Sequence, residues 1–242
     1  MELSITQVPI WLSAVFICCF LTFPILLINR SVKLAYFDGN ISKSSNITKK
    51  IAVFYLCYFL LTGLISLSGF FMKNVLPPRI ILFTTIPLFL FYILYVQRTQ
   101  WFQIVFQHIK IEHLVSIHLF RFVGIFFFLT YDYDAIPKTF AYIGGTGDIL
   151  TAVLAIPLII ALKKKIKSAN ILTWIWNIIG LVDIFSVLTC AIVITRMSIE
   201  NNTNGVQQFG TFPFSWIPAF APATIIFVHI LIFKKLKEYN QK

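Results

Sequence analysis

The sequence predicts an all-α protein: one polytopic bundle of seven transmembrane helices, N-terminus outside and C-terminus cytoplasmic. Composition, apolar run length and the placement of positive charge carry that prediction. Of 242 residues, 58% are apolar and 12% charged, whereas soluble domains run at about 45–50% and about 25%. The mean hydropathy is +0.85. A hydrocarbon core about 30 Å thick takes about twenty apolar helical residues. Runs of that kind lie at about 8–28, 51–71, 80–96, 114–131, 139–162, 171–195 and 214–233, and they fill residues 1–242 as a single domain.

Taken in order, the first run is VPIWLSAVFICCFLTFPILLI. Its N-terminal flank holds Glu2 and no Lys or Arg, and no small-residue cleavage site follows, so it reads as a span and not a signal peptide. The third, Ile80–Val96, is the shortest and contains Pro87. Before the fourth, WFQIVFQHIKIEHL mixes apolar and polar residues at helical spacing and predicts an interfacial helix. The segment 29–50, rich in Asn, Ser and Lys, reads as the longest loop.

Short cytoplasmic loops collect Lys and Arg. Arg30, Lys33, Lys43, Lys49 and Lys50 against Asp38, the Lys163-Lys164-Lys165/Lys167 cluster and the C-terminal tail all fall on one face. With the segment after span three, that face totals +12 and the opposite face zero. The chain as a whole is +11, so −1 lies inside. A basic excess that sorts onto one set of loops sets orientation and is no footprint for nucleic acid. The expected surroundings are the lipid bilayer of an inner membrane. The expected partner is a small polar or ionic ligand.

The interior charge consists of Arg121, Asp148 and Asp183. A charge deep in a membrane helix costs at least about 2.5–3.5 kcal/mol on insertion scales and so faces the bundle interior with a partner. At about 1.5 Å of rise per residue, Arg121 lies about 10 Å from the basic face, and both aspartates about 17–18 Å from it. A long Arg side chain bridges such a difference. His118, Asn177 and His229 lie in the same half, giving one polar column expected to open toward the basic face. The surplus carboxylate is a natural place for a proton.

Local sequence around these residues adds expectations about backbone. Gly144, Gly145 and Gly147, next to Asp148, permit either close helix contact or a local break. Pro213, Pro218 and Pro222 predict a kink at the start of span seven. Cys18, Cys19, Cys57 and Cys190 lack ligand spacing, so neither zinc nor a disulfide is expected, and no cofactor is called for. Trp11, Trp101, Trp174, Trp176 and Trp216 read as interfacial and lipid-facing aromatics.

Seven spans in about this length invite comparison with microbial rhodopsins, but the last span has no lysine for a retinal Schiff base. A closer likeness rests on Arg121-Phe122-Val123-Gly124, Pro137-Lys138-Thr139-Phe140-Ala141, Gly145-Thr146-Gly147-Asp148, Trp176-Asn177-Ile178-Ile179-Gly180-Leu181-Val182-Asp183 and the Pro-rich last span with His229. In these the chain resembles a group of uncharacterised bacterial polytopic membrane proteins. The resemblance covers about 118–233 and implies a bacterial inner-membrane setting with a shared polar core, but no substrate. Four functions stay open: a transporter or ligand-binding protein built on Arg121, Asp148 and Asp183; a redox protein holding haem or quinone through His118 and His229; a structural subunit of a membrane complex; and, least supported for want of a nucleophile–base set, a membrane enzyme acting on a lipid or quinone.

Overall fold

The computed structural model describes residues 3–35, 41–203 and 205–240, without the side chains of 41–44 and 239–240. Glu2, Asp38, Lys242 and the Lys43 side chain therefore lie outside what is described. Among the described residues there is no strand, only an isolated bridge between Ile5 and Phe212. Among the described residues seven helices are long and apolar enough to cross a membrane: Ile10–Ala35, Ser45–Leu67, Ile81–Arg98, Ile111–Tyr131, Lys138–Lys163, Ala169–Asn201 and Trp216–Glu238. The predicted interfacial helix forms over Gln100–His108.

Several boundaries differ from the apolar runs, each for a local reason. The second helix starts at Ile41, so the Asn- and Lys-rich segment is largely helix and not loop; polarity marks the membrane boundary and not the helix boundary. It stops at Leu67 because Gly69 takes a left-handed backbone, φ 74°, the usual helix terminator. The sixth helix runs on to Asn201 and stops where Asn202 takes φ 52°. The third span forms despite Pro87. Its backbone widens into π-helical turns over Ile81–Thr85 and Phe91–Tyr95 on either side of a short α-helical turn, a known way to absorb a missing N–H.

The three prolines at the start of the last span take different positions relative to its helix. Pro213 precedes the helix, and Pro218 sits in the first turn of Trp216–Asn240, where an N–H would have no helical partner anyway. Only Pro222 is interior. Its missing N–H frees the carbonyl of Pro218, and Thr85 Oγ1 of the third span donates to that carbonyl at 2.6 Å.

The last helix is the axis of the bundle: 78% of its apolar window is buried, against 22% for the sixth. Phe214, Phe220, Ile225 and Ile232 lie wholly inside, while Leu60, Ile171 and Val182 face outward. An apolar exterior of this kind suits lipid and not water. At the N-terminal face, Thr6 N donates to Phe212 O at 2.8 Å and Ser66 Oγ to Gly210 O at 2.8 Å. At the opposite face, Lys234 Nζ donates to Gln97 Oε1 at 2.8 Å and Lys235 Nζ to the Gln107 carbonyl at 3.2 Å, so the last helix clamps the interfacial one.

Candidate functional site

Arg121 sits where the fourth span leaves α-helical geometry. Residues His118–Gly124 wind as a 3₁₀-helix, longer than the three or four residues usual for that form. Three residues per turn eclipse positions i and i+3, so His118, Arg121 and Gly124 stand along one edge. That edge faces the fifth and sixth spans. The irregular backbone is therefore in span four, while the glycine-rich stretch of span five remains unbroken α-helix within Lys138–Lys163.

The glycines act as contact points. A Cβ on Gly124 would stand 2.6 Å from Asp148 Cβ, one on Gly144 2.6 Å from the Phe127 ring, and one on Gly145 2.7 Å from Phe128. On Gly147 it would fall on the Asp183 carboxylate, and on Gly180 it would lie 2.6 Å from the His229 ring. With hydrogens in those places the three helices approach closely enough for their charges to meet.

The three charges form one cluster. Arg121 Nε donates to Asp148 Oδ1 at 2.7 Å, Nη2 bonds Asp183 Oδ2, and Nη1 donates to Gly180 O at 3.3 Å. Arg121 is fully buried, and the Asp183 side chain is 12% exposed. One guanidinium thus serves two carboxylates, leaving a formal −1. A closely coordinated charge pair offsets part of its desolvation; a surplus charge does not.

Below Gly180 the column continues into the histidines. The His118 and His229 rings lie 4.1 Å apart, centroid to centroid, with Trp176 edge-on to His118 at 5.0 Å. His229 Nδ1 is 2.7 Å from Asn177 Oδ1, and Asn177 Nδ2 donates to His229 O at 3.1 Å. Both nitrogens of His118 and Nε2 of His229 are buried with no partner. Ring contact at that separation leaves no slot for a haem macrocycle between the two imidazoles, so the pair does not fit a bis-histidine haem. Among the described residues no group of three or more His, Cys, Asp or Glu is placed to hold a metal ion.

A cavity of about 70 Å³ reaches Asp148 from the N-terminal face, past Lys73, Asn74, Gln207 and Pro222. It has room for a few waters. The cavity at Asp148 therefore leads away from the Lys-rich face, opposite to the expected opening. The sequence also misplaced two tryptophans. Trp176 is buried with Nε1 donating to Thr151 O at 3.0 Å, and Trp216 with Nε1 donating to Phe59 O at 2.8 Å. The indole next to a buried Asn in Trp176-Asn177 was the available hint.

A family model described as Domain of unknown function (DUF8737) matches residues 76–237, more than half of the chain. The chain belongs to this family. The DUF8737 match takes in the third to seventh spans, and with them every member of the polar column, and leaves the first two spans outside. No curated protein and no solved structure matches the chain.

Proposed function

We propose that the protein is a multi-pass protein of a bacterial inner membrane, N-terminus outside, in which the Arg121–Asp148–Asp183 centre binds a proton that couples transport of a small polar or ionic ligand. The observation that carries this reading is the surplus carboxylate. Two aspartates share one guanidinium, and Asp148 borders a cavity from the N-terminal face. A proton arriving by that cavity cancels the −1 and releases one carboxylate from Arg121, which is the change a coupling step needs. His118 and His229 extend the same line toward the Lys-rich face, each with one ring nitrogen able to accept a proton and without a hydrogen-bond partner. The Lys and Arg excess supports the orientation, and the likeness to bacterial proteins over 118–233 supports the setting.

Infrared difference spectra of the full chain in lipid nanodiscs, acidic against alkaline, test the proposal. A carboxylic-acid C=O band should appear on acidification and vanish in Asp148→Asn or in Asp183→Asn. A folded wild-type protein with no titrating carboxyl band would mark the centre as a structural ion cluster.

A further inference from the structure

A separate void lies away from the charge cluster. A cavity of about 400 Å³ is lined by the first four spans, the last span and the interfacial helix, a volume within the range of small-molecule sites, about 300–1,000 Å³. Its wall is apolar and aromatic, with Phe54, Phe91, Trp101, Phe102 and Phe227 among the lining side chains. At the inner end, Tyr55 and Tyr92 hydroxyls lie 3.0 Å apart, and Tyr92 lies 3.0 Å from Thr224 Oγ1. Along the last helix the lining runs from Thr224 to Leu231, about 10 Å at helical rise.

The way in is lateral. Phe102 and Val105 of the interfacial helix are buried against the cavity and close it toward the Lys-rich face, and the clamp from Lys235 holds that helix in place. The exposed lining residues are Lys50, Phe54 and Tyr95, all on the second and third spans. The mouth therefore opens between those two helices at the depth of the membrane interface. The π-helical turn Phe91–Tyr95 presents Phe91, Tyr92 and Tyr95 to this wall; such turns recur at functional sites. Lys50 borders the cavity with no ion pair among the described residues, and no carboxylate lines it.

We infer that this cavity is a binding site for a long-chain carboxylate taken from the Lys-rich leaflet, its tail between the first three spans and the last helix and its head on Lys50. An apolar tube with a side entrance excludes hydrated solutes and admits a chain already dissolved in the bilayer. A lone ammonium at the mouth selects an anionic head. The site shares no residue with the Arg121 centre and stands or falls apart from it.

The experiment is photo-labelling of the full chain in neutral-lipid nanodiscs with a fatty acid carrying a diazirine near its methyl end, followed by peptide mapping. Label should concentrate on Tyr92, Thr224, Val228 and their neighbours at the inner end. Lys50→Gln should weaken labelling about fivefold, as expected from about 1 kcal/mol for one basic residue near a membrane surface. Val228→Trp, or Ile51→Phe as a milder plug, should abolish it in protein whose melting profile is retained. The unlabelled acid should compete better than the alcohol of the same chain length, and Lys50→Gln should remove that difference. Labelling unchanged by both plugs, or an alcohol that competes as well as the acid in wild type, overturns the inference.

Discussion

Spans four to six meet through glycine and charge, whereas spans one to three meet the last helix through aromatic rings. In the first region Gly124, Gly147 and Gly180 bring three backbones together, so that one guanidinium reaches two carboxylates and a carbonyl. In the second, Phe16 and Phe214 centroids lie 4.4 Å apart, Phe59 and Phe220 5.3 Å, and Tyr92 and Phe227 4.9 Å. Rings hold helices apart as well as together. Near the Lys-rich face the rings line a cavity instead of filling it. Lipid tails are as apolar as the helices, so close approach by small residues is the main route to tight packing in a bilayer. The difference teaches that this chain spends its tight packing on bringing charges together and leaves its aromatic half open enough to receive something.

The largest expected effect breaks the charged half. Arg121→Met leaves two buried carboxylates without a counter-ion and should destabilise the protein by about 3–5 kcal/mol, read as loss of the folded, monodisperse fraction after heating in detergent. Adding Asp148→Asn and Asp183→Asn to Arg121→Met should recover most of the loss, because an uncharged cluster of similar volume carries no stranded ion. If the triple variant is as unstable as the single one, the loss comes from packing of the arginine stem and not from charge.

Glycine substitutions sharpen the comparison at a smaller scale. At Gly124 a methyl group meets Asp148 Cβ at 2.6 Å and Gly145 O at 3.2 Å, so neither neighbour can swing away. Gly124→Ala should cost about 1–3 kcal/mol through overpacking, more than the gain of up to about 1 kcal/mol from helix propensity. Gly63 lies on the aromatic half, where its nearest contacts are ring atoms of Phe212 and Trp216 at 3.3 Å. Gly63→Ala should stay within about 1 kcal/mol of wild type. Equal melting shifts for the two variants would mean that the halves are packed alike.

Much of this is legible in the sequence. Seven apolar runs yield seven long apolar helices, and the three charges inside them were identifiable because nothing else in those runs is ionised. Their mutual contact was an inference from depth along each helix. The illegible parts depend on neighbours in space. Whether Gly144–Gly147 unwinds or packs depends on Phe127, Phe128 and Asp183 across the interface. The 3₁₀ stretch at His118–Gly124 carries no proline or other local mark. The Phe-rich runs of spans one to three give no sign of the space between them, since an aromatic facing lipid and one lining a void look identical in sequence.

The smallest effect concerns the seam between the two halves, where the third span meets the last. Pro222 cannot donate to the carbonyl of Pro218, so that carbonyl needs a donor from outside its own helix. Thr85 Oγ1 supplies the missing bond from the neighbouring helix. Thr85→Val should therefore lower stability by about 0.6–1.7 kcal/mol, the average and the largest value for interhelical hydrogen bonds in a membrane. Restoring an N–H with Pro222→Ala in the Thr85→Val background should recover the loss, because the helix then satisfies Pro218 O by itself. If Pro222→Ala brings no recovery, the Thr85 hydroxyl does not serve the proline.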